Sequence, residues 1–470
     1  MAEAKLYGQN KGGMSINGII KDYYAYAREN ISAGDLVEYI NGVASKIDCG
    51  TSVDTQLSTE SYTGRTISAV ALDNNRVFIA HSYQSSYYLY GMVVTINGAT
   101  IVCGTDTVLN NSTDSSAIIS TCLLPNGNVF IAYNSTSNYY LYGMVATING
   151  TSITHGESTS ISRSRNAGST ISTMALDDSR VLIIHSMSST YSLYGMVCTI
   201  NGTTITAGTD TELSSIKYSG LTISICLLPN GNIFIAHSYN TSYYLYGMVI
   251  SISGTTITAG TDKGIVTNTS NSGRYISAVA LDDNRVFIAH SLNSNYHLYG
   301  IVCTISGTTI SSNVNSDQKI SETQYAGMKI SAELLPNGNV FIAHSYSSSY
   351  YLYGVVCRIS GTTITVGTDT AIINPTSEDG YYTGFEISSL LLNNGTIFVA
   401  HNKYNSPFYL YAQIFGVDES NVPTNHIITT DYETQIRKVT TGQFDGVAKT
   451  EGTGGDSTGH NDLVSIWTLE

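Results

Sequence analysis

The sequence predicts an all-β protein: a seven-bladed β-propeller of four-stranded blades plus a small β-module built from both termini. Three observations carry this. The tripeptide Leu-Tyr-Gly begins at Leu89, Leu141, Leu193, Leu245, Leu298 and Leu352, with an altered seventh copy at Leu410–Ala412, in steps of 52, 52, 52, 53, 54 and 58 residues. A second marker, Val77–Ser82, returns at Val129–Asn134, Val181–Ser186, Ile233–Ser238, Val286–Ser291, Val340–Ser345 and Ile397–Asn402. Each unit also reads as four strands and tight turns, which is one propeller blade.

Within the unit from Thr66 to Leu109, Thr66–Leu72 is an apolar, β-rich first strand, and Asp73–Arg76 is its turn. Val77–His81 is the second strand, Ser82–Ser86 a polar loop and Tyr87–Ile96 the third strand. Asn97-Gly98 is a two-residue hairpin signal, and Thr100–Val108 completes the unit as a fourth strand. Val77–Ala80 and Met92–Val94 are apolar on both faces, as strands sandwiched between neighbouring layers are. A solenoid is the alternative, although β coils usually repeat at shorter periods.

The units alternate in kind. Blades one, three and five turn through Asp-x-x-Arg (Asp73/Arg76, Asp177/Arg180, Asp282/Arg285), which read as exposed salt bridges. Blades two, four and six turn through Pro-Asn-Gly at Pro125, Pro229 and Pro336, and the seventh through Asn393-Asn394-Gly395. A two-blade duplication leaves that trace. For ring closure, Lys46–Leu57 resembles an outer strand such as Thr204–Leu213 and is the favoured lock, with Asn425–Ile436 as its rival. The expected division is therefore 46–436 for the propeller, with 1–45 and 437–470 as the two parts of an anchoring module.

Composition narrows the function classes. The chain has 470 residues, 42% hydrophobic and only 12% charged, with 43 Gly and 35 Tyr, which suits a turn-rich β protein. A formal charge of −14 argues against a nucleic-acid partner, because gripping phosphates needs a basic face. No stretch reads as a signal peptide or membrane span. Cys198, Cys303 and Cys357 share a repeat position filled elsewhere by Val94, Ala146 and Ile250; Cys122 and Cys226 share another, as do Cys49 and Cys103. Cysteine thus stands in for a small apolar residue, and free thiols in a reducing compartment are expected.

The two ends differ from the repeat. Ile31–Ala44 and the tail from Phe444 to Leu469 share a Gly-Val-Ala segment, at Gly42–Ala44 and Gly446–Ala448. Closing a propeller brings its ends together, so these segments are expected to build one module on which the disc is mounted. The pairing of the early segment with the late one resembles small β-barrel modules of tailed-bacteriophage virion proteins, such as head-decoration and tail-fibre attachment segments. The repeats resemble propellers of phage structural proteins from Gram-positive hosts. The resemblance implies an anchor, here Gly34, Asp35, Val37, Gly446, Val447 and Trp467, and no catalytic residue carries over.

Two constellations invite a functional reading. The histidine column is His81, His185, His237, His290, His344 and His401, with Tyr133 in the second unit. These imidazoles sit too far apart for one metal ion, so hydrogen bonds to adjoining loops are expected and neither metal nor cofactor. The tyrosines form a uniform column, Tyr87, Tyr139, Tyr191, Tyr243, Tyr296, Tyr350 and Phe408, and another from Tyr90 to Tyr411, both read as packing between blades. Between them lies a variable column, expected to be exposed: Tyr88, Tyr140, Ser192, Tyr244, His297, Tyr351 and Tyr409. Tyrosines beside Ser-, Asn- and Thr-rich loops suit recognition surfaces, and their rings stack on sugars. Tyr88, Tyr140, Tyr244, His297, Tyr351 and Tyr409 are the candidate glycan-binding residues, with an inert spacer as the alternative.

An enzyme is not expected, because Asp boxes are missing and polar residues recur blade by blade instead of forming one unique cluster. The expected role is a non-enzymatic virion surface protein, a capsid or neck decoration assembled in the host cytoplasm. Its expected partners are other capsid, neck or tail proteins and a host cell-wall glycan, without nucleic acid or membrane; self-association stays open. A receptor-binding tail fibre or baseplate component and a cellular propeller lectin are the alternatives.

Overall fold

The computed structural model describes residues 51–83, 86–112, 117–134, 139–187, 189–292, 294–312, 316–373, 383–392, 395–403, 408–417 and 422–423, and the backbone of 20–27, 36–40, 43–46, 48–50, 135, 404, 424, 426–428, 446–448 and 463–469. Seven antiparallel sheets follow one another along the chain, each a blade. In blade one the strands are Ile67–Ala71, Arg76–Tyr83 and Tyr88–Asn97, followed by an outer strand in two pieces, Thr100–Val102 and Thr107–Asn110. Both pieces pair with the third strand.

That break corrects the single outer strand expected over Thr100–Val108. Its cause is Gly104, where a Cβ would lie 2.2 Å from the Val93 carbonyl oxygen. The same close approach recurs at Gly208 and Gly260, so the outer strand bends at this glycine and resumes two or three residues later.

Packing explains the two-faced apolar strands. Each of seven hydrophobic clusters draws its residues from two neighbouring blades, the last joining blade seven to blade one through Phe398, Leu410, Val77 and Met92. The glycine of Leu-Tyr-Gly belongs to this packing. A Cβ on Gly143 would meet Ile161 at 2.5 Å and Phe130 at 3.0 Å. In the altered seventh copy Ala412 fills the place and is fully buried.

The innermost strands are stitched by serines. Ser68, Ser120, Ser224, Ser277, Ser331 and Ser388 each accept a backbone N–H from the next blade, and the Ala69 N–H to Ser388 bond (3.2 Å) closes the circle. At the turns, Arg76, Arg180 and Arg285 pair with Asp73, Asp177 and Asp282 and also donate to the Gly150, Gly254 and Gly361 carbonyls of the next blade. Even blades answer differently: Asn126 and Asn230 donate to the Asp178 and Asp283 carbonyls. The alternation therefore consists of two kinds of contact between blades.

Both ends share the closure. Thr55–Gln56 pairs with Tyr411 and Ala412 as the inner piece of blade seven's outer strand, while Pro423–Thr424 supplies the other piece. His426–Ile428, within the rival segment, pairs with Asp48–Thr51. Farther out, Ile20–Ala27, Val43–Lys46, Leu36–Ile40, Gly446–Ala448 and Leu463–Leu469 close a five-stranded barrel from the two termini. The two Gly-Val-Ala segments flank the same strand, with Val37 opposite Gly446 and Val447 opposite Trp467. Gly34 and Asp35 lie outside the described residues. The described cysteines are free thiols, and burial pushes Cys122, Cys226, Cys303 and Cys357 up to about 12.

Candidate functional site

On one face of the disc emerge the loops joining second to third strands and the linkers running from each outer strand to the next blade; the tight turns occupy the other face. Three layers of side chains build the loop face.

The lowest layer is the histidine column. All six histidines are fully buried, and each places Nδ1 on a neighbouring carbonyl and Nε2 on an aspartate: His81 on Asp106 (2.8 Å), His185 on Asp210 (2.8 Å), His237 on Asp262 (2.8 Å), His290 on Asp317 (3.0 Å), His344 on Asp369 (3.0 Å) and His401 on Asp54 (3.0 Å). Each ring thus lies between a backbone carbonyl and a carboxylate, which fixes its orientation. Burial works against a charge on His290, but Asp317 outweighs it and raises the imidazolium pKa above its ordinary value. At Asp54 and Asp262 burial pushes the carboxyl up, yet the paired imidazole, with Lys403 at Asp54, leaves both below the usual range. The sequence signal was legible: His and Asp lie 25 residues apart in most blades, just past the outer-strand break. In blade two the pair becomes Tyr133 with Ser158, and Asn110 also bonds the phenol.

Above it, the residue after each histidine holds the linker. Ser82, Ser186, Ser238, Ser291 and Ser345 accept the N–H that opens the first strand, and Asn134 and Asn402 do so through their side-chain oxygens. The histidines bond the loop that interrupts the outer strand, as expected, and their neighbours bond the linker.

The top layer is an aromatic belt. Tyr87, Tyr139, Tyr191, Tyr243, Tyr296 and Tyr350 all have φ between 51° and 53°, in the left-handed region that a bulky residue rarely adopts. A linker glycine holds five of them: the N–H groups of Gly168, Gly220, Gly273, Gly327 and Gly384 donate to the Tyr139, Tyr191, Tyr243, Tyr296 and Tyr350 carbonyls at 2.6–2.7 Å. Strain of this kind, about 1–3 kcal/mol per residue, persists only where surroundings enforce it, and it clusters at functional sites. Tyr139 is 40% exposed and the other five are half-buried, so this column packs between blades with part of each ring open. The variable column does not stand out as expected: Tyr88, Tyr140, Tyr244, His297, Tyr351 and Tyr409 are half-buried, and Ser192 is buried.

Into the clefts between belt aromatics project residues that do not repeat. Arg65 lies over Tyr87 (4.5 Å) and Phe408 (5.5 Å), and Arg274 over Tyr243 (4.9 Å) and Tyr296 (5.5 Å). Phe385 meets Tyr350 and Phe408 at 5.4 and 5.7 Å, and Tyr350 donates to Met328. Lys329 pairs with Glu386 at 2.7 Å; burial opposes its charge, but Glu386 outweighs it and raises its pKa. Deeper, on an innermost strand, Glu333 accepts from Ser389, and burial pushes its carboxyl up to about 8. A reading keyed to periodicity passes over such residues, and they correct the expectation that polar groups only recur. Among the described residues no group of His, Cys, Asp and Glu is arranged to hold a metal.

No protein-family model and no curated protein matches the chain. Its fold is similar to a crystal structure of a Lactobacillus plantarum protein at 12% identity and a TM-score of 0.50, over 76% of this chain and 96% of that one. The NanB sialidase of Streptococcus pneumoniae is similar at 14% identity and 0.46, over 78% and 71%. The fucose-specific lectin of Aleuria aurantia is similar at 13% and 0.41, over 69% and 99%. At such identities the likeness establishes the fold alone. The expectation of a non-enzyme is nonetheless corrected: most of the named proteins sharing this shape are glycan-active enzymes, including polysaccharide lyases and an arabinanase, with a lectin beside them.

Proposed function

We propose that this protein recognises glycans on the loop face of its propeller and is carried on the surface of a bacteriophage particle by its terminal barrel. The observation that carries the glycan reading is the belt of strained tyrosines. Six rings sit at one level of a rigid disc on backbone that is unfavourable for tyrosine and is braced in five blades by a linker glycine. Rigid aromatic faces stack on sugar rings at low entropic cost, and repeated copies on one rim gain avidity for a polymer. The particle reading rests on the resemblance of the two termini to virion modules, with host cell-wall glycan as the target and capsid, neck or tail proteins as the docking partners.

A glycan array probed with the full-length protein tests the first part. Binding that weakens when Tyr243 and Tyr296 are changed together to Ala supports it; no binding to any glycan or to host cell wall at high concentration discards it. Labelling of particles with an antibody to the propeller tests the second, and unlabelled particles would end it.

A further inference from the structure

Arg65 and Arg274 have a chemistry that the packing of the disc does not require. The chain carries a formal charge of −14, yet among the described residues neither guanidinium has a carboxylate within ion-pair distance. Lys329, one position farther along the linker of blade six, is by contrast tied to Glu386. Clamping neighbouring blades does not need charge at this level: the equivalent places hold Ala117, Ser169, Leu221, Met328 and Phe385. Each guanidinium carbon lies 4.5–5.5 Å from the centroids of two aromatic rings that belong to adjacent blades, and both arginines are half-buried. The guanidinium is a planar fork of N–H donors matched to a carboxylate or phosphate, part of which the Tyr275 hydroxyl takes at Arg274. Burial works against the charge of Arg274, but the Tyr275 hydrogen bond and nearby phenols outweigh it, so the cation is held.

We infer that the clefts between blades seven and one and between blades four and five are acid-recognition subsites, each taking the anionic group of a charged saccharide while the flanking aromatic rings take its sugar faces. The inference rests on the glycan reading above and adds its charge specificity. The two arginines stand in well-separated sectors of the ring, so one extended polyanionic chain can engage both.

Calorimetric titration of the full-length protein with three probes tests this: an oligogalacturonide carrying carboxylates, a glycerol-phosphate oligomer carrying phosphates, and neutral maltohexaose. One or both charged probes should bind more tightly than maltohexaose, with affinity falling as salt rises. R65Q and R274Q should each weaken the charged probe by about tenfold or more, R65K and R274K should recover part of it, and maltohexaose affinity should stay within about twofold. Which charged probe responds assigns carboxylate or phosphate. Melting curves identify any Gln variant that fails to fold, and the Lys variants and salt series then decide. Equal, salt-insensitive binding of charged and neutral probes overturns this inference and leaves the glycan reading standing. Failure of all three probes together with a blank glycan array overturns both.

Discussion

Asp54 and His401 lie 347 residues apart in the chain and make the contact that other blades make over about 25. Asp54 arrives from the N-terminal side beside the two-residue strand Thr55–Gln56, and it also binds Lys403 at 2.7 Å. Ring closure therefore adds the Asp54–Lys403 ion pair and the Asp54–His401 contact to a short strand and a shared apolar cluster. Replacing Asp54 with Ala leaves the Lys403 ammonium without its counter-ion and the buried His401 Nε2 without its partner. The expected loss is about 3 kcal/mol, read from chemical denaturation. A loss no larger than that of an exposed turn pair such as Arg76–Asp73 would show that the lock lies elsewhere.

Blade two offers a coupled test. Tyr133 and Ser158 stand where other blades have His and Asp, so the two exchanges compensate each other. Tyr133→His alone strands a buried imidazole without its acid and should cost about 1–3 kcal/mol. Adding Ser158→Asp should recover at least about 1 kcal/mol, measured as non-additivity in a double-mutant cycle. Additive effects would mean that the two residues do not act as a pair.

The strained belt separates backbone from ring. At Tyr139, φ is 53°, and Asn166 and Asn271 occupy the same region in the linkers. Tyr139→Asn should therefore leave stability nearly unchanged, whereas Tyr139→Val, β-branched and ill suited to positive φ, should cost about 2 kcal/mol more. Both variants lose the ring and should lose glycan affinity alike. Equal melting temperatures for the two would contradict the strain.

The propeller was legible because its packing repeats. The glycine of Leu-Tyr-Gly is demanded in six blades by a side chain such as Phe130 or Ile161, and one physical constraint stamped at a fixed period is easily seen. The aspartates were missed because Asp106 sits in what reads as one continuous strand, and only the Gly104 contact with Val93 breaks it. The strain at the uniform tyrosines was hidden because left-handed backbone leaves no mark in a side-chain pattern. Arg65, Arg274 and Glu333 were hidden by the regularity itself: the two arginines share one column with Ala117, Ser169, Leu221, Met328 and Phe385, and Glu333 stands alone in its own.

Stability should peak between acid and neutral pH. Asp54 and Asp262 have folded pKa values below the ordinary 3.8, so their contribution is present above that value and is lost as pH falls through the depressed one. His290 is the opposite case. Its folded pKa is raised above 6.5, so its contribution is complete below 6.5 and is lost as pH rises through the higher value. Thermal midpoints across this range should fall at both ends, and Asp317→Asn should reduce the alkaline fall. A midpoint that climbs steadily above pH 8 would contradict the pairing.

Glu333 adds a second alkaline loss with a different source. It occupies the innermost-strand position held by Val70, Cys122, Met174, Cys226, Val279 and Leu390 in the other blades. Burial moves its pKa from 4.5 to about 8, so the folded state keeps a proton that the unfolded chain has released. The sign follows directly: the folded protein loses stability relative to a neutral isostere as pH rises from about 4.5, and the deficit levels off above about 8. Glu333→Gln keeps the shape and the hydrogen bond with Ser389 while removing the titration. Between pH 5 and 9 the parent should lose about 3 kcal/mol relative to this variant, while Asp317→Asn leaves that difference intact. Parallel pH profiles for parent and Glu333→Gln would mean that the carboxyl reaches water and ionises as freely in the folded disc as in the unfolded chain.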